Sequence, residues 1–464
     1  MLAVSLIIGI LLLVLVILVV MTYNMPVSHD AQGNEGANKK MSDSKNYVYA
    51  AIVAVCTGML AGLYFLLKGT VWEGHLMEWM NIVVRLMHIT FGIAWIGASF
   101  YFVFLENALN RTDNVRDELA GNLWAVHGGG FYYLEKYKVA PKEIPRALHW
   151  FKYEAYFTWL TGFTLLFVVY YFNASAQLVD KNILDITSFQ GIAIGLISLV
   201  IGWLLYDLLS KSPLVKNTNT FIVIGLAIVT GFAFFYSKVF APRAAYMHFG
   251  AMLGTLMAAN VFFVIIPAQK AMVYAAKNGK PLNPQLGKNA LQRSIHNNYF
   301  TMPVLFVMIS NHFPSTFGFK QPWLILLLIS VGVAVVKHWL NLREKGQLSV
   351  WVLPAAVLVL LSAAYISAPP KPGSCSSNVS MAEVNLIIQK RCVSCHSSRP
   401  TDEVYTAPPN GVMYDTPESI AKLKDKIMQR VVLTKTMPQN NKTNMTEEER
   451  DLIRCWIEQG APVK

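Results

Sequence analysis

Charge is scarce in this chain. Only 14% of its 464 residues are Asp, Glu, Lys or Arg, while 54% are hydrophobic and the mean hydropathy is +0.40. A water-soluble globular domain is nearer a quarter charged, which excludes an ordinary cytosolic enzyme. Cysteine is scarce as well: five in this length cannot staple a disulfide-rich secreted scaffold. The apolar content excludes disorder, and 29 glycines are far too few for a collagen. A polytopic membrane protein remains.

The formal net charge is +12, but it is not concentrated in a basic patch. Residues 381–464 hold 12 Lys/Arg against 11 Asp/Glu. No basic run is interleaved with aromatics as a nucleic-acid groove would be, so no nucleic-acid partner is expected. The excess falls in short connectors between apolar runs.

A bilayer core needs about 20 mostly apolar residues per helix. Ten stretches qualify: 2–22, 48–67, 81–106, 153–173, 187–209, 219–239, 244–268, 297–317, 322–341 and 350–368. The connector 269–296 carries Lys270, Lys277, Lys280, Lys288 and Arg293 with no acid, whereas 69–79 has no Lys or Arg. Basic connectors favour the cytoplasm, so the last span leaves it and residues 369–464 are expected outside. The first stretch lacks a basic start and a small-residue cleavage site. It reads as an extra anchor helix, giving an anchor and cytoplasmic linker over 1–47, a spanning domain over 48–368, a Pro/Ser linker over 369–380 and a polar tail over 381–464.

The tail contains Cys392-Val393-Ser394-Cys395-His396, the C-x-x-C-H pattern of c-type haem attachment. Two thiols at this spacing can add to the two vinyl groups of one haem, with the adjacent imidazole on the iron. A zinc half-site would want two further ligands, and no other histidine follows His338. Capping-box patterns at Ser380–Glu383 and Thr446–Glu449 predict one helix before the cysteines and one at the end, the latter stopping at Gly460. The expected fold is therefore all-α: a transmembrane helix bundle of nine to ten spans followed by a class I cytochrome c domain. A thioether is the expected sixth ligand. Met437, followed by Pro438, is the first choice, Met445 the second; Met413 and Met428 are further candidates. Cys375 and Cys455 either pair or stay as buried thiols.

Histidines within spans are functional candidates. His88, His248 and His312 lie toward the outer side, suiting b-type haem ligation or a redox relay, or equally plain interhelical hydrogen bonding. His149, His296 and His338 fall at inner ends, with His127 in a long inner connector. No His-His pair of the haem–copper oxidase kind is present. Two inner segments crowd polar and aromatic groups: Trp124 to Tyr133, including His127, Gly128, Gly129 and Tyr132, and Ser294 to Thr301, including His296, Asn297, Asn298 and Tyr299. Glycines permit close backbone approach to a ligand, asparagines read heterocycle edges, and His127, His296 or Glu154 could act as base.

With these motifs in view, the chain from about residue 48 to its end resembles the membrane-bound urate oxidases (urate hydroxylases) that carry a C-terminal cytochrome c. The resemblance rests on His127-Gly-Gly-Gly-Phe-Tyr, on His296-Asn-Asn-Tyr-x-Thr-x-Pro-Val304, on Cys392-x-x-Cys-His-x-x-Arg399-Pro-Thr401 and on Ala407-Pro-Pro-x-Gly-Val-Met413. It implies conversion of urate and water to 5-hydroxyisourate, with electrons passing to haem c and on to a soluble cytochrome c or terminal oxidase, and no hydrogen peroxide formed. It also implies a bacterial inner membrane with the cytochrome domain on the periplasmic side. The rival reading is a non-catalytic electron-transfer subunit. A transporter with a redox tail fits the spans but leaves the haem without purpose.

Overall fold

The computed structural model describes residues 70–145, 148–368, 375, 378–405 and 407–463, with 58, 62 and 66 besides. The expected anchor 2–22, nearly all of the span 48–67 and most of the linker 369–380 lie outside the described residues.

The helix labelled α1 runs over Val71–Ala108, capped by the Thr70 hydroxyl accepting from the Trp72 N–H. Strands β1 (Leu119–His127) and β2 (Gly130–Tyr137) follow as an antiparallel hairpin. Next come α2 (Tyr153–Leu165), which runs on into a π-helical turn Leu166–Tyr171, then α3 (Ser188–Lys211) and α4 (Thr218–Val239). The next continuous rod is α5 (Pro242–Ala259), a π-helical turn Asn260–Ile265, and α6 (Ile266–Lys277). Then α7 (Pro284–Ser310), α8 (Pro322–Glu344) and α9 (Val352–Ile366) complete the apolar part. In the tail the main helices are α10 (Met381–Arg391), α11 (Pro417–Lys422) and α12 (Glu447–Glu458).

Among the described residues, five segments are long and apolar enough to cross a bilayer: His75–Ala108, Ser188–Lys211, Thr218–Val239, Pro242–Lys277 and Pro322–Glu344. The expected spans at 153–173, 297–317 and 350–368 are helical but outside that set. The first changes from α to π geometry at Leu166. The N-terminal half of α7 carries Lys288, Arg293, His296 and an Asn pair, which lower its hydropathy, and α9 has only 15 residues. The molecule is mostly helical, and the all-α expectation needs one amendment. Residues 119–137 form a hairpin because the alternating segment around Trp124 is broken by Gly128-Gly129. Both glycines have positive φ, 57° and 80°, as a two-residue hairpin turn requires.

The chain divides into two compact units. The first holds the chain to Phe172, Leu253–Thr301 and His338–Ser349. In it α1 packs on α2 through stacked Phe91 and Phe157, 4.9 Å apart. The second unit holds Asn173–Met252, Met302–Lys337 and Val350–Lys464. Its apolar part buries Tyr236, Phe240, Tyr246 and Phe249. Gly250 allows α5 and α7 to approach closely, since a Cβ there would meet Val307 at 2.5 Å.

The tail, also in the second unit, has a core of its own. Val384, Ile387 and Ile388 of α10 pack with Ile453 and Trp456 of α12. Both capping boxes form, Ser380 with Glu383 and Thr446 with Glu449, and Gly460 ends α12 at φ 94°. Cys375 and Cys455 are joined as a disulfide with Cα atoms 5.5 Å apart, which settles the pairing that the sequence left open.

Candidate functional site

In the first unit, α7 presents Arg293, Asn297, Asn298 and Thr301 to the interior, all buried. Arg293 and Asn297 are four residues apart, as are Asn297 and Thr301, and so share one face of the helix. The two asparagines have different duties. Asn297 donates to the Met257 carbonyl (3.0 Å) and accepts from Asn260 Nδ2 (2.8 Å), so both ends of its amide are engaged. Asn260 opens the π-helical turn of the α5–α6 rod, and its Oδ1 also accepts from Arg293 Nη1 at 3.2 Å. Such turns alter the register of side chains along a helix and are frequent at functional sites.

Asn298 is bonded instead to Asn341 of α8, whose Nδ2 donates to Asn298 Oδ1 at 3.2 Å. Asn298 Nδ2 and Asn341 Oδ1 are buried without a partner. Two primary amides sharing one bond retain an unused donor on one and an unused acceptor on the other, whichever way the pair is flipped. One residue on, the Tyr299 hydroxyl meets Nδ1 of His338 at 2.7 Å, at the exposed edge of the patch. His296 is half-buried beside Arg293 on the same helix. The unused donor and acceptor match the hydrogen-bonding pattern of adjacent N–H and C=O groups, with a phenol–imidazole pair one residue along.

Among the described residues, no hydrogen bond joins the other first-unit residues singled out by sequence to this patch, although Ala155, next to Glu154, packs with Val261, next to Asn260. His127, Gly128 and Gly129 form the exposed tip of the hairpin, and Tyr132 lies exposed on β2. Among the described residues no hydrogen bond or ring contact joins His127 to His296, Asn297 or Asn298. Glu154 is half-buried in the first turn of α2. His88 of α1 bonds through Nδ1 to the Thr158 carbonyl (3.0 Å) and Thr161 hydroxyl (3.1 Å) of α2. Gly162 makes room for its ring, since a Cβ there would lie 2.8 Å from His88 Cε1.

In the second unit His248 is fully buried. Its Nδ1 bonds to the Ala244 carbonyl at 2.8 Å, and its ring lies 4.4 Å from that of Phe240 and 5.9 Å from that of Tyr236. His312 is exposed just beyond α7, and no hydrogen bond or ring contact joins the two.

In the tail, Cys392 is buried and Cys395 half-buried, and neither is in a disulfide. Burial pushes the Cys392 thiol up to about 12, the reverse of the low value a thiol–disulfide exchange centre needs. His396 Nδ1 lies 3.0 Å from the Val412 carbonyl. A carbonyl only accepts, so Nδ1 carries the proton and Nε2 has the free lone pair, the tautomer a metal-ligating histidine requires. Met437 packs against the apolar cluster that contains Cys392 and Tyr414, held by its N–H to the Arg430 carbonyl (3.0 Å) and by Arg450 Nη1 on its own carbonyl (2.8 Å). Met445 is buried in the same cluster, while Met413 is exposed. Two thiols, an oriented imidazole and a packed thioether are a donor set that suits a covalently attached haem.

The sequence reading did not connect Asn260, Arg293 and Asn341 with the polar run of α7. Each lies in its own apolar stretch or connector, and only folding sets them around Asn297 and Asn298. No curated protein and no solved structure matches the chain. A family model described as urate oxidase N-terminal matches residues 74–368. That match takes in every residue of the polar patch and more than half of the chain, which therefore belongs to the urate oxidase N-terminal family.

Proposed function

We propose that the chain is a membrane urate hydroxylase that oxidises urate with water as the oxygen source: urate + H2O → 5-hydroxyisourate + 2 H⁺ + 2 e⁻. The observation that carries this reading is the Asn298–Asn341 pair. Its unused donor and acceptor complement an amide edge, O=C–N–H, and urate presents such edges around its rings. Burial makes recognition selective, because a ligand lacking either group leaves a buried polar atom unpaired.

Removing a proton from the urate anion makes a more easily oxidised dianion. The Tyr299–His338 pair and His296 are the groups of the patch able to accept it. Asn297, fully bonded within the protein, holds the α5–α6 rod to α7 and positions its neighbour.

The tail residues Cys392, Cys395, His396 and Met437 would hold a haem c, which supplies one-electron acceptance when bound. With that group bound, the two electrons would leave one at a time toward a soluble cytochrome c or a terminal oxidase. The tail meets connectors 173–182 and 311–321 within its own unit, and by the alternation of spans these connectors face away from the cytoplasm that the basic connector favours. This supports a periplasmic tail in a bacterial inner membrane, as does the Cys375–Cys455 disulfide. A b-type haem held by His88, His248 or His312 is tested by a pyridine haemochrome spectrum, in which a pure c-type signal rules it out.

The deciding experiment adds urate anaerobically to the purified full-length chain. Reduction of its own haem, with 5-hydroxyisourate formed and no peroxide, is the expected result. Haem that stays ferric until a separate dehydrogenase is supplied would instead make the chain a non-catalytic electron-transfer subunit.

A further inference from the structure

Beyond Met437 and Pro438 the tail turns sharply. Asn440 and Asn441 have φ of 52° and 48°, in the left-handed region that asparagine tolerates best after glycine. At this turn the tail is fastened to the connector between α2 and α3. Gln439 Nε2 donates to the Ala176 carbonyl at 2.7 Å. Asn440 Nδ2 donates to the carbonyls of Val179 (3.0 Å) and Ala176 (3.2 Å), and Asn182 Nδ2 returns a bond to the Asn440 carbonyl at 3.1 Å. Tyr405 ties the two sides together, donating to Gln439 Oε1 at 2.7 Å and accepting from Gln177 Nε2 at 2.9 Å.

The connector needs these partners. Residues 174–177 make a single helical turn with Ala174 and Leu178 buried, and a turn that short leaves its last carbonyls without helical donors. Buried carbonyls must find donors elsewhere, and the tail side chains supply them.

A second fastening lies on the other side of Met437. Gly318, in the connector between α7 and α8, sits so close to the Thr434 carbonyl that any Cβ would collide with it. Met437 is thus bracketed, at Thr434 and at Gln439–Asn440, by two different connectors of the apolar helices.

We infer that Gln439, Asn440 and Gly318 are positioning residues that clamp the Met437 loop onto the connectors 173–182 and 311–321, making this edge of the tail the one through which electrons enter. The clamp is a feature of this chain's own residues; the electron part rests on the urate hydroxylase reading above. Each urate oxidised gives up two electrons and two protons. The tail accepts the electrons singly and passes each to the external acceptor, and the protons go to water.

The test uses the full-length protein in native membranes. First, Ala176→Cys with Gln439→Cys is treated with a short bifunctional thiol reagent. A joined 176–439 peptide, absent from the wild type, is expected, and its absence overturns the clamp whatever the substrate is. Second, Gln439→Ala with Asn440→Ala is expected to slow urate-driven haem reduction at least tenfold and lower the midpoint potential, with covalent haem content and dithionite reduction unchanged. An unaltered rate and potential would overturn the inference. If urate fails to reduce even the wild type, the functional reading fails, while the crosslink still decides the clamp.

Discussion

Asn260 donates its side-chain amide to Oδ1 of Asn297 over 2.8 Å, from the first residue of a π-helical turn. The same side chain accepts from Arg293, so one amide organises two residues of α7. Asn260→Ala strands the Asn297 acceptor and removes a partner from a buried guanidinium. A loss of about 1–3 kcal/mol is expected, measured as a lower thermal midpoint of the detergent-solubilised chain, and an unchanged midpoint would show the bonds to be dispensable.

Asn341→Leu and Asn298→Leu each remove half of the amide pair. Both variants are expected to lower kcat/KM for urate by roughly 10–100-fold, the cost of a buried polar group left unmatched. Covalent haem should stay at wild-type levels. Equal activity in Asn341→Leu would remove the pair from substrate recognition.

Much of the tail was legible in the sequence because its signals are local. The capping boxes at Ser380 and Thr446 and the Cys-x-x-Cys-His run each lie within six residues, and the helices form where those boxes place them. The polar patch was legible only in part. His296 to Thr301 stood out as a run, but Asn260 and Asn341 are isolated asparagines in apolar helices, and nothing local marks them. The hairpin has a local signal too, since paired glycines between alternating segments form a turn, but the same glycines also suit close backbone approach to a ligand, and one pattern serves both uses.

Cys392→Ser with Cys395→Ser is expected to abolish covalent haem, seen as loss of haem-dependent peroxidase staining on a denaturing gel. Met437→Leu should lower the midpoint potential and alter the ferric spectrum, whereas Met445→Leu should chiefly loosen packing. The opposite outcome would move the thioether ligand to Met445, which lies buried in the same cluster.

Arg391 and Glu449 tie α10 to α12 through a forked pair at 2.8–3.0 Å. Partial burial pushes the Glu449 carboxyl up, but bonds from Arg391 and the Thr446 cap more than offset it, leaving it below the usual carboxylate range. A depressed folded value means that the stabilisation is present above the ordinary carboxylate pKa and is lost as pH falls through the depressed one. Acid unfolding of the tail should therefore be less steep in Glu449→Gln than in the wild type, with a lower stability at neutral pH. Parallel acid curves would remove this pair from the tail's pH response.

Opening the Cys375–Cys455 bridge with Cys375→Ser is expected to cost the tail about 2–4 kcal/mol, since it releases a loop spanning 80 residues of sequence. The check is thermal unfolding of the tail, and an unchanged midpoint would leave the bridge without a stabilising role.

That bridge also shortens a leash. With Cys375 fixed to α12, only residues 367–374 separate the tail's anchored body from the end of the last apolar helix, a reach of at most about 30 Å. A domain kept within so small a volume has an effective concentration in the millimolar range or above. Its encounter with the helices becomes an event within one molecule, repeated at a frequency that dilution of the protein cannot change.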